Sequence, residues 1–315
     1  MQNYDAIVVG GSFAGLSAAM MLARARRRVL LVDAGKPRNR YSSASHGFLG
    51  QDGRSPKEIM ETGRQQLLAY PTVTFHTTVA TEAAPTENGF AVTLQDSLQD
   101  HGTVVQAKKL ILATGLTDHL PDVPGMQDLW GEGVNQCPYC HGYEIAGRKF
   151  AVFGAGPGSV HHAAIVSDWT EDTTLLSNGG DWLTEDHRAM LAARGIGIDE
   201  TPLRRLVPRS PHSRELEAVE FTDGRTVPYG ALFTGTRWSF ASPLAERLGC
   251  ETEEGQAGPL IKVDFFKETS VHGVFAAGDN TNPMANTTLA SAAGTLAGSG
   301  AHQSLLGLKP PMKTE

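Results

Sequence analysis

The stretch from Asp5 to Asp33 most narrows what this chain can fold into. An apolar run, Ala6-Ile7-Val8-Val9, leads into Gly10-Gly11-Ser12-Phe13-Ala14-Gly15, an Ala-rich stretch from Leu16 to about Ala25 has helical composition, and a second apolar run, Val29-Leu30-Leu31-Val32, ends on Asp33. Strand, glycine turn, helix, strand and acid in that order read as a dinucleotide-binding βαβ unit. The glycines let the backbone approach a pyrophosphate at the helix N-terminus, and the acid bonds a ribose hydroxyl. Gly10, Gly11, Ser12, Phe13, Ala14, Gly15 and Asp33 are therefore candidate cofactor contacts. Ser12 stands where the second glycine of the usual pattern belongs, and a tight turn in some other α/β protein is the alternative reading.

The pattern occurs twice. Phe150-Ala151-Val152-Phe153, the turn Gly154-Ala155-Gly156-Pro157-Gly158-Ser159, a helix from Val160 to Trp169 and the strand Thr173-Leu176 repeat it. The two copies differ at one telling position. Asp33 comes 23 residues after Gly10, and the same step from Gly154 arrives at Ser177. Ser177 has no carboxylate for the ribose diol of NAD, and Asn178-Gly179-Gly180-Asp181 supplies no cation for the 2′-phosphate of NADP. Between the copies, Lys36 to about Asp52 reads as an irregular loop, Pro56 to Tyr70 as a helix, and Val73–Val79, Phe90–Leu94, Val104–Ala107 and Lys109–Ala113 as strands, the last breaking at Thr114-Gly115. Pro121, Pro124 and Gly125 mark a linker, and Leu232-Phe233-Thr234-Gly235 repeats the Thr-Gly turn. Val271–Ala277 is an apolar strand ending in Gly278-Asp279, followed by an Ala/Gly/Ser-rich helix from Asn286 to about Leu306 whose small residues would admit a flat cofactor.

At the entry to the second copy stands Cys137-Pro138-Tyr139-Cys140-His141-Gly142-Tyr143-Glu144. Two cysteines at this spacing can close a small disulfide, and a helix start there favours thiolate. Pro138 suits a first helical position, and His141 is an available proton carrier beside the second sulfur. The alternatives are a zinc knuckle or two ordinary thiols, with His141 as a helix-turn residue whose ring is merely satisfied. Zinc normally takes four ligands, whereas the only other cysteine, Cys250, is isolated, so no metal site is expected.

With 27 basic and 34 acidic residues the net charge is −7, and the one basic run, Arg24 to Arg28, falls at a helix end where cations complement the dipole. The balance argues against nucleic acid as a partner. The chain enters a strand within a few residues and has no run approaching a membrane span. No signal peptide and no membrane contact are expected, and a cytoplasmic location follows, where a CxxC disulfide is catalytic rather than structural.

The order glycine turn, Ala113-Thr114-Gly115, CxxC, second glycine turn, Ala277-Gly278-Asp279 resembles the low-molecular-weight thioredoxin reductase family over nearly the whole chain. The resemblance implies an α/β fold of two Rossmann-like domains. The FAD-binding domain would be discontinuous, 1–117 with 245–315, and 118–244 would form an NADPH-domain-like unit carrying the CxxC. It also makes Ala113, Thr114, Gly115, Gly278 and Asp279 candidate FAD contacts, and implies a homodimer. Three departures stand out: His141 replaces an acidic residue, the basic cluster for the NADPH phosphate is missing, and no Arg-Gln pair follows Gly278-Asp279. Cys-Pro-Tyr-Cys-His-Gly-Tyr-Glu is instead similar to the FAD-dependent dithiol oxidases that close the disulfides of gliotoxin, holomycin and romidepsin-type products. By that analogy Cys137 faces a small-molecule dithiol, Cys140 faces the flavin, His141 moves the protons, and O2 reoxidises the flavin to give H2O2. An NADP(H)-linked reductase of thioredoxin type and a non-enzymatic flavin redox sensor are the competing functions.

Overall fold

The computed structural model describes residues 3–96 and 99–308. Contacts divide the chain into two units, Met1–Arg40 with Lys57–Thr117 and Trp238–Glu315, and Tyr41–Pro56 with Asp118–Arg237. Residues 1–2 and 309–315, the ends of the expected first domain, lie outside the described residues.

In the first unit the strand Asn3–Val9 lies between Val29–Asp33 and Gln99–Leu112, parallel to both. Val73–Thr77 extends the sheet beyond Val29–Asp33, and Val274–Ala276 pairs in parallel with Leu110–Leu112. The apolar runs do not alternate because both faces are covered, the usual condition of a parallel sheet. Ile7, Val9, Leu30 and Val32 face one core, with Leu244 and Val274. Ala6, Val8, Val29 and Leu31 face the other, with Ala18, Leu22, Ala297 and Ala301 from two helices.

The two strands expected at Val104–Ala107 and Lys109–Ala113 are one, Gln99–Leu112. Its first half pairs antiparallel with Gly89–Asp96, itself paired with Ala80–Thr86, and its second half joins the parallel sheet. Polar Lys108 interrupts the apolar run without ending the strand, and its Nζ reaches the Asp5 carboxylate at 3.3 Å.

The first helix, Phe13–Arg24, begins three residues before the expected Leu16, so Phe13, Ala14 and Gly15 are its first turn rather than part of the loop. The last helix, Thr287–Leu305, is capped by Asn286, whose Oδ1 accepts from the N–H groups of Thr288 and Leu289. Its small residues were expected to admit a flat cofactor. At Gly294 the close approach is to protein instead, since a Cβ there would stand 2.0 Å from the Ala14 carbonyl oxygen. Two helices need that closeness to bury a shared Ala/Gly face.

The second unit holds a five-stranded sheet in the order Gly197–Asp199, Thr173–Leu176, Phe150–Phe153, Ala231–Thr234, Val134–Asn135, all parallel. Its first four strands follow the same third-second-first-fourth order as the first unit. Phe150, Val152, Leu175 and Phe233 pack against Val160, Ala163 and Val166 of the helix Gly158–Val166. An antiparallel sheet of Leu203–Pro208, Leu216–Phe221 and Thr226–Pro228 completes it.

The units depart from the expected boundaries in two places. Tyr41–Pro56 groups with the second unit: Gly131 approaches Tyr41, and the Arg214 guanidinium lies 5.9 Å from the Tyr41 ring. The second crossing falls at 237/238 rather than 244/245, because Trp238 is buried with Leu116 and Leu260 of the first unit. Among the described residues no helix is long and apolar enough to cross a membrane.

Candidate active site and cofactor cradles

Each of the two glycine turns sits where a central strand hands over to a helix. At the first, Gly10 has φ +107°, and a Cβ there would lie 2.1 Å from the Ala113 carbonyl oxygen. Only glycine combines that dihedral with that contact. Gly15 closes the turn from the helix side, its missing Cβ leaving room for the Gly10 carbonyl. Gly11 N–H donates to Asp33 Oδ1 at 3.1 Å, which orients the carboxylate at the end of the second strand. Ser12 is the N-cap residue in extended conformation, but its side chain does not cap the helix, and the first turn holds no acid. The hydroxyl instead contacts Met60 Sδ at 3.4 Å.

Ala113, Thr114 and Gly115 follow the strand Gln99–Leu112, with Ala113 N–H donating to Val9 O at 2.8 Å and the Ala113 carbonyl against Gly10. Gly278 brings its backbone close to Ala14, with a hypothetical Cβ 3.1 Å from the Ala14 Cβ. Asp279, a candidate FAD contact, is paired with Arg38, Nη1 to Oδ2 at 3.1 Å. Its neighbour Asn280, not singled out from the sequence, is fully buried; Nδ2 donates to Leu112 O at 3.0 Å, and Oδ1 has no partner. The structure thus brings all the predicted cofactor residues together in the first unit. An uncapped helix N-terminus, an oriented carboxylate and a backbone surface cleared of side chains fit the pyrophosphate and ribose of a dinucleotide.

The second turn is built alike and furnished differently. Gly154 N–H donates to Leu176 O at 2.8 Å, but the space over Gly154 is taken by an indole: a Cβ there would stand 2.7 Å from Trp182 Cζ2. Ser177 is 2% exposed, and its hydroxyl has no partner. Asn178 Oδ1 is committed to Leu203 N–H at 2.7 Å. On the neighbouring strand end Arg188 pairs with Glu200 at 2.7 Å, and Arg225 with Asp199 at 2.9 Å and Asp223 at 2.6 Å.

Cys137 and Cys140 are joined in a disulfide. Cys137 is the N-cap of the helix Pro138–His141, with Pro138 in its first turn. The helix is a single turn, and at its end Gly142 N–H donates to Pro138 O at 2.7 Å. A four-residue helix has little dipole, so thiolate stabilisation must come from elsewhere. Tyr139, between the two cysteines, and Tyr143, three residues beyond Cys140, are 72% and 82% exposed, and Tyr139 meets the Trp169 ring edge-on at 5.2 Å.

His141 does not point to solvent. Its Nε2 lies 3.4 Å from Ser42 Oγ, and Nδ1 is buried without a hydrogen-bond partner. Burial pulls its pKa below the ordinary imidazole value, opposed by the Cys137 backbone and the Glu144 carboxylate and assisted by His46. His46 bridges toward Glu144 Oε1 at 3.4 Å and Asp52 Oδ2 at 3.7 Å. Ser42 and His46 carry no signal in the sequence, and Glu144 appears there only as the end of the CxxC stretch. Ser42 and His46 lie about a hundred residues before the CxxC, in a stretch whose composition says only loop. His162, also unforeseen, is half-buried edge-on to Phe233 at 6.3 Å, and burial lowers its pKa as well, against the Gln136 backbone.

A family model described as pyridine nucleotide-disulphide oxidoreductase matches residues 4–294. The chain belongs to that family. Like its relatives, this pyridine nucleotide-disulphide oxidoreductase is a flavin thiol/disulfide oxidoreductase. It is 33% identical over 309 residues to "Thioredoxin reductase tcpT" of Claviceps purpurea, spanning 96% of this chain and 94% of that protein. The crystal structure of an oxidoreductase from Agrobacterium tumefaciens superposes with a TM-score of 0.90 at 42% identity, covering 98% of this chain and 100% of that one. The crystal structure of HlmI gives 0.88 at 35% identity, covering 97% and 93%.

Proposed function

We propose that this enzyme oxidises a small-molecule dithiol to its intramolecular disulfide, using Cys137–Cys140 as the acceptor and passing the electrons through FAD to O2. In the first step His141 takes the proton of one substrate thiol, and the resulting thiolate attacks Sγ of Cys137. The Cys137–Cys140 bond breaks, a mixed disulfide forms and Cys140 leaves as thiolate. His141 then gives its proton to the Cys140 thiolate and takes that of the second substrate thiol, whose thiolate attacks the substrate sulfur of the mixed disulfide and releases Cys137 as thiolate. The substrate has then lost two electrons and two protons, and the protein holds the dithiol. General-base help of this kind is typically worth on the order of 10²–10⁴ in rate.

The glycine turn at Gly10–Gly15, Asp33, Ala113–Gly115 and Gly278–Asp279 would hold FAD, making the first unit the cofactor domain. FAD bound there supplies a two-electron acceptor that O2 can reoxidise with release of H2O2. The observation that carries the direction is the second glycine turn. Its acid position is a buried serine, its first glycine lies under Trp182, and the nearby Arg188 and Arg225 are paired with carboxylates at the end of the adjacent strand. A site so furnished has neither the ribose acceptor nor the phosphate cation that a pyridine nucleotide requires. A cytoplasmic homodimer completes the proposal.

A second reading is an NADP(H)-linked reductase of a thioredoxin-like protein, favoured by the name "Thioredoxin reductase" borne by relatives such as tcpT. Anaerobic reduction of the flavin separates the two. Bleaching by a small dithiol, reversed by air with H2O2 formed, is the expected result; rapid bleaching by NADPH at micromolar concentration would overturn the oxidase reading.

A further inference from the structure

The half-buried indole of Trp182 spans the gap between the ends of the first two strands of the second unit's parallel sheet. A Cβ at Gly154, which follows Phe150–Phe153, would stand 2.7 Å from Trp182 Cζ2 and 3.1 Å from Cη2. A Cβ at Gly180, beyond the end of Thr173–Leu176, would meet Nε1 and Cδ1, the latter at 2.5 Å. The benzene edge therefore rests on one glycine and the pyrrole edge on the other. The loop that carries the ring is fixed at its base. Asn178 Oδ1 accepts from Leu203 N–H at 2.7 Å, Gly179 N–H donates to Glu200 O at 2.8 Å, and Gly180 N–H donates to Ser177 O at 3.0 Å. Asn178 and Gly179 have φ of +53° and +76°, as the two central residues of a type I′ turn do.

In a dinucleotide-binding βαβ unit the adenosine ribose lies in that gap, with its pyrophosphate over the glycines and its hydroxyls on the acid that ends the second strand. We infer that Trp182 is a specificity-determining residue whose indole fills the adenosine subsite of the second turn, so that pyridine nucleotides are excluded by shape as well as by charge. The pyrophosphate end of the same turn is still open. The helix Gly158–Val166 has no side-chain cap and no acid in its first turn, and a Cβ at Gly156 or Gly158 would meet nothing within 4 Å. One donor there is taken, since Ala155 N–H donates to Ser159 Oγ at 3.0 Å. An end that favours anions thus adjoins a subsite filled by the chain's own ring. Ser177, at the acid position, is buried with its hydroxyl unpartnered, as expected of a ribose contact that no ribose can reach. The inference rests on the same turn as the proposed function but not on the direction of electron flow.

The test is binding of ADP-ribose, which carries the adenosine and pyrophosphate of NAD without the nicotinamide, to the flavin-loaded enzyme, so that the first turn is already occupied. Saturation-transfer NMR reads weak binding directly on wild type, Trp182→Ala and Gly180→Ala, the last of which keeps the indole but sets a methyl against it. Wild type should show no binding. Both variants should bind with Kd on the order of 1 mM, because the ribose acceptor is still missing. Adding Ser177→Asp to Trp182→Ala should tighten binding about tenfold, as charge-assisted hydrogen bonds to the ribose would. Binding by wild type overturns the inference, and so does its absence in both flavin-loaded variants; Gly180→Ala alone decides if Trp182→Ala does not fold. No gain from Ser177→Asp would place the opened space outside the ribose subsite and overturn it as well. Should wild type oxidise no dithiol while Trp182→Ala gains ADP-ribose binding, the oxidase reading fails and the role of Trp182 stands.

Discussion

At the first glycine turn the second strand ends on Asp33, held by Gly11 N–H; at the second the corresponding strand is followed by Ser177, buried with its hydroxyl unpartnered. Both turns use a glycine at the strand end and the same order of four parallel strands. One leaves a cleared backbone surface beside an oriented carboxylate, and the other places an indole on its first glycine. A βαβ unit is stable as a packing solution whether or not it binds anything, because its strands and helix bury each other. Ligand chemistry is an addition at the turn, and it can be withdrawn without loss of the fold.

Substitutions can break that comparison. The largest effect should come from Gly15→Ala, whose methyl would meet the Gly10 carbonyl at 1.7 Å. Backbone meets backbone there, so a cost on the order of 3 kcal/mol and loss of bound flavin are expected, read as a colourless, heat-labile protein. Asp33→Ala should weaken flavin binding about 10- to 100-fold, as expected for one charge-assisted hydrogen bond, measured by flavin release on dilution. Ser177→Ala, at the matching position of the second copy, should leave flavin affinity and dithiol turnover unchanged and shift stability by about 1 kcal/mol or less. A large loss of activity in Ser177→Ala would mean that the second turn recognises a ligand after all.

Gly156→Ala sharpens the contrast further. Its Cβ would enter open space, but φ is +148°, so about 1–3 kcal/mol of backbone strain with intact activity is expected from thermal melts and dithiol assays. The smallest effect is one of pH. His141 and His162, both in the second unit, have folded pKa values lowered chiefly by burial. Between the folded values and the unfolded value near 6.5 the unfolded chain binds more protons. Their stabilisation is therefore complete above about pH 6.5 and is lost as pH falls below it. His162→Gln should flatten the fall in thermal midpoint between pH 7.5 and 5.5; an unchanged slope would exclude His162 as a source.

Both dinucleotide units were legible in the sequence because their signals are local. Glycine at a strand end, an apolar run and an acid at a set distance are read within some thirty residues. The CxxC was legible for the same reason, and the disulfide between Cys137 and Cys140 agrees with it. Less was readable where partners are distant in the chain. Lys36 to Asp52 has loop composition, and nothing local says that Ser42 and His46 stand beside His141 and Glu144. That Asp279 pairs with Arg38 was not legible either, because the two lie 241 residues apart in the chain. The small residues of the last helix suggested a cofactor surface, but small side chains serve any close approach, and only the packing shows that Ala14 makes it at Gly294.

The sequence alone determined the two βαβ units, the disulfide-forming pair and the missing acid at Ser177, since each is a matter of residue type at short spacing. Tertiary structure decided what surrounds them: the indole over Gly154, the carboxylates paired with Arg188 and Arg225, and the Ser42 hydroxyl beside His141 Nε2. Those depend on direction and burial, which hydrogen-bond geometry and desolvation set only once distant segments have been brought together.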